Sequence, residues 1–149
     1  MLLDRYSLNP ERTLQPAGDP IVTLSPDWMG VIPAQQPLKI IDRAGVDINP
    51  LNTVDHLDYS RLLSYTWADQ CVRLDHIKQI ATHKTIMVEQ TDAVDWLPNR
   101  LSKQRIGTLH FVFHTIALQY FPQESKDKIA HALARAGKRA TPERPLGYI

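Results

Sequence analysis

Residues 109–121, LHFVFHTIALQYF, form the most apolar run in the chain. The first part, LHFVFH, does not alternate apolar and polar residues, which predicts a central parallel strand buried on both faces. From Thr115 the spacing changes, which indicates a turn or short helix. His114 lies where the strand ends and is the candidate catalytic residue; the alternative is a core histidine hydrogen-bonded to a backbone carbonyl. We expect His110 to lie in the core or on a sheet face.

The prolines divide the chain into two regions. Six of the 11 prolines fall within the first 37 residues, where each removes a backbone donor and restricts the residue before it. We therefore expect residues 1–37 to form irregular structure with short strands. IVTLS (21–25) and PLKIID (37–42) predict an antiparallel N-terminal β-hairpin.

Strand and helix patterns alternate through residues 38–149. TIMVEQ (85–90), TLHFVFHT (108–115) and PLGYI (145–149) predict strands, as does the apolar centre of RAGVDINPLN (43–52). This alternation predicts a Rossmann-like α/β fold, a mainly parallel sheet with helices on both faces. At 149 residues we expect one domain, with residues 1–37 as its irregular or hairpin segment and 38–149 as its alternating region.

The predicted helices have recognisable ends. Asp55 or Asp58 is expected to cap a helix through residues 59–83, with a break near residues 68–70. Its apolar positions step by three and four, and its predicted inward face comprises Leu63, Trp67, Cys71, Leu74, Ile77 and Ala81.

Two further helices follow. Thr91 or Asp92 is expected to cap the first, which turns Trp96 and Leu97 inward. Pro122 suits the first turn of the second helix (124–137), and Gly137 suits a left-handed position that ends it.

Parallel α/β sheets bind ligands beyond the carboxyl ends of their strands. The polar residues at those predicted positions are Asp47, Asp92 and His114. A carboxylate there can accept hydrogen bonds from ribose hydroxyls or from the exocyclic amine of adenine. The alternatives are structural: Asp47 caps the turn that follows it, and Asp92 caps its helix.

Composition argues against several kinds of protein. The 17 basic and 16 acidic residues give no electrostatic case for a nucleic acid or membrane partner. One cysteine, Cys71, fits a reducing cytoplasm. We expect no metal site, because His110 and His114 on an extended strand lie about 13 Å apart. The sequence contains no GxSxG motif, so nothing supports a serine hydrolase. It contains no GxxxxGK[ST] motif, which argues against a nucleotide-binding protein with a phosphate-cradling loop.

Several blocks together carry a resemblance to a known family: LDRYSL, PLKIIDRAGVDINPLN, LLSYTWADQCVRLDHI, TDAVDWL, FVFHTIALQYFP and RATPERPLGYI. In this order they resemble a bacterial family of uncharacterised proteins, domain of unknown function 2332. Full-length members of that family resemble class I S-adenosylmethionine-dependent methyltransferases. The resemblance implies that Asp47 contacts the ribose of S-adenosylmethionine and that Asp92 and Ala93 contact its adenine. It also implies that residues 111–121, FVFHTIALQYF, form the fourth strand and the turn that lines the substrate pocket.

The chain departs from the methyltransferase pattern at the glycine-rich turn that holds the cofactor's methionine end. Gly18, the first glycine, lies in a proline-rich segment and does not supply that turn. We therefore expect a partial or degenerate, catalytically inactive member of the family. The alternative function is a non-catalytic protein–protein interaction module. An exposed sheet edge invites pairing with another chain, so we expect a homo-oligomer; a small molecule or another protein are the other candidate partners.

Overall fold

A computed structural model describes residues 6–8, 21–24, 29–31, 39–83 and 88–149, with residues 6–8 described by their backbone alone. Within these residues the chain is a mixed α/β protein with four α-helices and three pairs of short strands. A 3-10 helix spans Ala117–Tyr120. The elements in chain order are β1 (Tyr6–Leu8), β2 (Val22–Leu24), β3 (Gly45–Asp47), α1 (His56–Ser64), α2 (Cys71–Ala81), β4 (Val88–Gln90), α3 (Ala93–Leu101), β5 (His110–Val112), α4 (Gln123–Gly137) and β6 (Leu146–Tyr148).

The chain divides into two compact units. The first comprises Met1–Gly45 and Leu51–Met87, and it holds β1, β2, α1 and α2. The second comprises Val46–Pro50 and Val88–Ile149, and it holds most of β3 together with β4, α3, β5, α4 and β6. All three predicted site residues, Asp47, Asp92 and His114, belong to the second unit.

In the first unit, β2 pairs with β1 in parallel, with Tyr6 opposite Val22. The strand predicted at 21–25 is confirmed over Val22–Leu24, and α2 packs against it. The predicted β-hairpin with residues 37–42 is wrong, because residues 39–42 are not in a strand and β2 has a parallel partner instead. Residues 37 and 38 lie outside the described residues. Proline at position 37 removes a ladder donor where the second hairpin strand was expected to begin.

The predicted break in the long helix is confirmed, since α1 ends at Ser64 and α2 begins at Cys71. Asp55 caps α1: its Oδ1 accepts from the backbone N–H of Leu57 (2.9 Å) and of Asp58 (3.0 Å). The predicted inward face is wrong at Trp67, which is 79% exposed, and at Cys71, which is also exposed. Trp67 lies in the break and Cys71 is the first residue of α2, so no continuous helical face turns them inward.

The core of the second unit is the interface between α3 and α4. Leu97 and Leu101 of α3 are buried against Ile129, Ala132 and Ala136 of α4. Leu97 was predicted to turn inward, which is confirmed, and Trp96 packs at the margin of the same cluster. The two alanines have the smallest apolar side chains, so the helices approach closely enough to bury Leu101 to 1% exposure.

Strand β5 pairs with β6 in parallel, with Phe111 opposite Gly147 and Val112 opposite Tyr148. The strand predicted at 145–149 is therefore confirmed. Val112 and Leu146 pack against the α3–α4 core. Phe111 lies over Gly147, where an added Cβ would stand 2.6 Å from the phenylalanine ring.

The expectation that residues 109–114 form a central strand buried on both faces is wrong for the described part of the chain. There β5 has one strand neighbour, and one face of it packs against the helices. On the other face Leu109, Phe111 and Phe113 are 60%, 42% and 37% exposed. The apolar run therefore reflects one core face and one open aromatic face.

The α4 helix begins after Pro122, as predicted, but its predicted end is wrong in detail. Gly137 is the last helical residue, and Lys138 follows with an ordinary φ of −62°. Among the described glycines, Gly30 and Gly107 are the ones with positive φ. The last turn of α4 closes on backbone bonds from Lys138 to Ala134 and Ala136, so it does not need a left-handed residue.

None of the helices described is long and apolar enough to cross a bilayer.

The burial of Leu101 gives a direct test of the α3–α4 core. Leu101→Ala should destabilise the second unit by about 2–5 kcal/mol, because the substitution loses apolar burial and leaves a cavity. Urea denaturation gives the magnitude, and faster amide exchange over residues 93–101 and 123–137 locates the effect. Leu57→Ala is the control: Leu57 is 76% exposed, so this substitution should change stability by less than about 0.5 kcal/mol. Equal effects of the two substitutions would contradict the assignment of this core.

Candidate functional site

The carboxyl ends of β3 and β4 meet. The backbone N–H of Thr91, the residue after β4, donates to the carbonyl of Asp47, the last residue of β3, at 3.1 Å. The Gln90 side chain also donates to the carbonyl of Ile48 at 3.3 Å. Both strands therefore end at the same edge, which places the Asp47 backbone beside the residue that precedes Asp92.

Asp47 is exposed and organises the turn after β3. Its Oδ1 accepts from the backbone N–H of Asn49 at 2.8 Å, ahead of the turn at Pro50. This confirms the structural alternative, in which Asp47 caps the turn that follows it. The structure shows no hydrogen bond to the second carboxylate oxygen from any described residue. One oxygen of Asp47 is thus used locally, and the other has no hydrogen-bond partner among the described residues.

Asp92 caps α3. Its backbone is extended (φ −76°, ψ 135°), and its Oδ1 accepts from the N–H of Val94 at 2.8 Å. Its carbonyl accepts from the N–H of Trp96 at 3.0 Å. Ala93 is the first residue of the helix and is half-buried beside the core. Asp92 is exposed, so it too retains a carboxylate oxygen available beyond the cap.

A lysine of α4 lies within electrostatic range of this edge. Hydrogen bonding and charge attraction from Glu124 raise the pKa of Lys128, and the charges of Asp95 and Asp92 add to the rise. The Lys128 Nζ contacts a Glu124 carboxylate oxygen at 2.6 Å. Both groups are open to solvent, so screening keeps their contribution to stability small. They show nevertheless that the start of α4 lies near the start of α3.

His114 lies two residues beyond β5 and is half-buried. Its Nε2 lies 3.0 Å from the Tyr148 hydroxyl, and its backbone N–H donates to the carbonyl of Ile149 at 3.1 Å. The sequence suggested a backbone carbonyl as partner of the ring, and the structure provides a tyrosine hydroxyl instead. The ring Nδ1 is buried and has no hydrogen-bond partner among the described residues. A buried ring nitrogen without a partner costs free energy, and such atoms often mark functional sites.

The backbone directly after His114 is strained. Ile116 has φ 63° and ψ −32°, a conformation that a β-branched residue rarely adopts. The Ile116 residue is also 69% exposed, so side-chain burial does not explain the strain. Strained backbone concentrates at binding and catalytic sites. This observation supports the interpretation of residues 111–121 as a functional segment.

The structure sorts the predicted site residues into two groups. It brings Asp47 and Asp92 to one strand edge, and it joins His114 to Tyr148. No hydrogen bond or ion pair links the two groups within the described ranges. Tyr148 was not identified from the sequence. The rule that ligands bind beyond the carboxyl ends of strands, if applied to the last predicted strand, would have indicated it.

The described residues hold no cluster of three or more His, Cys, Asp or Glu side chains suited to a metal ion. His110 lies in β5 opposite Leu146, whereas His114 lies beyond the strand and contacts the Tyr148 hydroxyl. A shallow depression at the start of α2 is lined by six residues between Asp69 and His76, including Cys71 and Arg73. None of the predicted site residues lines that depression.

A comparison against protein families confirms the family that the order of the sequence blocks indicated. The model of the family described as "Uncharacterized protein conserved in bacteria (DUF2332)" matches residues 1–149. The chain belongs to this family. Searches of the curated proteins and of the solved structures give no match. The description of the DUF2332 family names no activity, so the chemistry of this DUF2332 chain rests on its own residues.

The double role of Asp92 can be separated by substitution. Asp92→Ala removes the cap and should destabilise the second unit by about 0.5–2 kcal/mol. Asp92→Ser retains a capping oxygen, so its stability should differ from that of the wild type by no more than about 0.3 kcal/mol. Chemical denaturation of the three proteins measures both values. If the serine variant is as unstable as the alanine variant, the carboxylate contributes more than a helix cap.

Proposed function

We propose that this DUF2332 chain carries the adenosyl-binding edge of a Rossmann-like, class I methyltransferase-like fold and is catalytically inactive on its own. The observation that carries the proposal is the meeting of β3 and β4 at their carboxyl ends, with Asp47 at the end of one strand and Asp92 just beyond the other.

The strand pairing supports this fold. In the common order 3-2-1-4-5-6 of dinucleotide-binding sheets, strands 2 and 3 are neighbours, and so are strands 4 and 5. The pair β3–β4 and the parallel pair β5–β6 match these two neighbour relations in chain order. The helices α3 and α4 connect successive strands, as crossover helices do.

The chemistry of the two aspartates suits a nucleoside. A carboxylate accepts two hydrogen bonds, and the ribose of an adenosyl group offers two neighbouring hydroxyl donors. Asp47 has a second carboxylate oxygen for this role, without a hydrogen-bond partner among the described residues. Asp92 accepts from the exocyclic amine of adenine in the proposal, and Ala93 contacts the ring. Bound S-adenosylmethionine would supply the electrophilic methyl group.

His114 is the candidate proton acceptor for a methyl acceptor substrate. Its ring Nε2 faces the Tyr148 hydroxyl, and Tyr148 is 46% exposed. A substrate proton can therefore reach the imidazole through the tyrosine hydroxyl. The hydroxyl holds the ring in one orientation, which a general base needs.

The expected lack of turnover follows from the glycines. They lie at positions 18, 30, 45, 107, 137 and 147, so no two are closer than ten residues. A glycine-rich turn allows close backbone approach to the ligand, and this sequence contains none. We therefore expect weak binding of the nucleoside part and no methyl transfer.

The test uses S-adenosylhomocysteine at millimolar concentration and two-dimensional NMR. Amide signals of residues 47–49 and 91–94 should shift in the wild type, with affinity at least about tenfold lower in Asp47→Ala, because that variant loses a charge-assisted hydrogen bond. Asp92→Ser should also weaken binding while retaining the cap. Asp55→Ser, at the helix cap of the first unit, is the matched control and should bind as the wild type does. No shift in the wild type, or equal affinity in Asp47→Ala, overturns the adenosyl site.

A second candidate function is self-association, which the open aromatic face of β5 favours. Leu109, Phe111 and Phe113 share that face, and the two phenylalanine rings stack with centroids 6.3 Å apart. Contiguous exposed apolar surface of this kind is characteristic of interfaces.

Light scattering at micromolar concentration tests self-association. The wild type should form a dimer or larger oligomer, and Leu109→Ser with Phe113→Ser should shift it to monomer by removing apolar area from the face. Ile48→Ser with Val72→Ser is a control, since both side chains are exposed (73% and 70%) and lie elsewhere in the chain. A monomeric wild type contradicts this candidate.

A further inference from the structure

Two loops of the second unit lie side by side. The loop from α3 to β5 (102–109) and the loop from α4 to β6 (138–145) enter the amino ends of two parallel strands. The Gly107 N–H donates to the Glu143 carbonyl at 2.6 Å, and the His110 N–H donates to the Pro145 carbonyl at 3.0 Å. We call them the basic loop pair. It lies at the end of β5–β6 opposite to His114 and Tyr148.

The basic loop pair has a strong local charge imbalance. It carries five cations and one carboxylate, Glu143, whereas the whole chain has 17 basic and 16 acidic residues. The cations are Lys103, Arg105, Lys138, Arg139 and Arg144. From the near-zero net charge no anionic partner was expected. The basic loop pair is nevertheless a positive surface, because it brings together two segments that are distant in the sequence.

The cations of this surface are not neutralised locally. In the part of the chain that the structure describes, Lys103, Arg105, Lys138 and Arg139 form no ion pair. A hydrogen bond from the Thr141 side chain and one from the backbone lower the pKa of Glu143, with a smaller effect from Arg144. Glu143 is therefore ionised at neutral pH, yet it offsets one charge of five.

Helix dipoles account for only part of this charge. Cations stabilise the last turn of a helix, and the effect fades beyond it. Lys138 directly follows α4, so it fits that explanation. Arg105 and Arg144 lie four and seven residues beyond the ends of α3 and α4, where the dipole effect has faded.

An exposed isoleucine lies among these cations. Ile106 is 80% exposed, between Arg105 and Gly107, and Gly107 turns the chain with φ 75°. Leu109, in the same loop, is 60% exposed. Apolar side chains surrounded by basic residues suit the interface of an anionic bilayer, where hydrocarbon and phosphate lie close together. A nucleic acid backbone offers phosphates but no apolar layer for Ile106.

We propose that the basic loop pair binds the surface of an anionic phospholipid membrane, with Ile106 inserted at the headgroup boundary and the surrounding lysines and arginines on the phosphates. This contact is peripheral, and the basic loop pair does not cross the bilayer. Because the surface lies at the amino ends of β5 and β6, the His114–Tyr148 contact lies at the opposite end of the strand pair from the bilayer. The proposal is independent of the adenosyl site.

Co-sedimentation with vesicles tests the proposal. The full chain should bind vesicles that contain phosphatidylglycerol and should not bind pure phosphatidylcholine vesicles. Raising ionic strength from about 0.05 M to about 0.3 M should weaken binding by screening the charges. The variant Lys103→Gln/Arg105→Gln/Lys138→Gln/Arg139→Gln should bind at least about tenfold more weakly. Ile106→Ser should lower binding about three- to tenfold with no change in charge.

The matched control removes the same number of exposed cations elsewhere: Arg61→Gln/Arg73→Gln/Lys78→Gln/Lys128→Gln. Both quadruple variants have the same net charge, and circular dichroism confirms that each is folded. Equal losses in the two quadruple variants overturn the proposal, as does wild-type binding that ignores phosphatidylglycerol. A duplex DNA bound more tightly than vesicles, with no effect of Ile106→Ser, would assign the surface to nucleic acid instead.

Discussion

The close packing of α3 on α4 is the constraint on which the second unit depends. Leu101 is 1% exposed because Ala132 and Ala136 let the two helices approach, and Leu97 and Ile129 complete the contact. Val112 and Leu146 rest on the same cluster, so the helices also support the β5–β6 pair. The two strands are three residues long, and strand pairs of this size are unstable alone. Their parallel alignment, and with it the His114–Tyr148 contact, therefore depends on the helix interface.

The candidate site is built from groups that also hold the backbone in place. Asp47 organises the turn after β3 and Asp92 caps α3, each through one carboxylate oxygen. The remaining oxygens lie at the edge where the two strands end. The side chains proposed for recognition therefore also serve folding, and substitution by alanine tests both roles together. His114 differs, because its buried Nδ1 has no partner in the described chain and the strained Ile116 follows it. That cost is more consistent with function than with stability.

Local features of the sequence predicted most of the elements. The caps at Asp55 and Asp92, the helix break near residues 68–70 and the strand at the chain's last residues were all visible in residue type and spacing. Errors arose where a property depended on neighbours distant in sequence. Residues 109–114 are apolar without alternation, which predicts burial on both faces, yet Phe111 and Phe113 lie on an open face. Trp67 follows the helical period but falls in the break, so no face turns it inward.

By itself the sequence determined the caps and turns, because these depend on short-range hydrogen bonds, and it indicated Asp47, Asp92 and His114 as candidate site residues at predicted strand ends. Only the tertiary structure decided which of these residues meet. It joined the ends of β3 and β4, supplied Tyr148 to His114, and placed two weakly basic loops side by side around Ile106. Charge and hydrogen-bond partners in these cases come from segments 30 or more residues apart, such as the 34 residues between His114 and Tyr148. The spacing of residues along the chain does not indicate which distant segments come into contact. The packing of the helices determines those contacts.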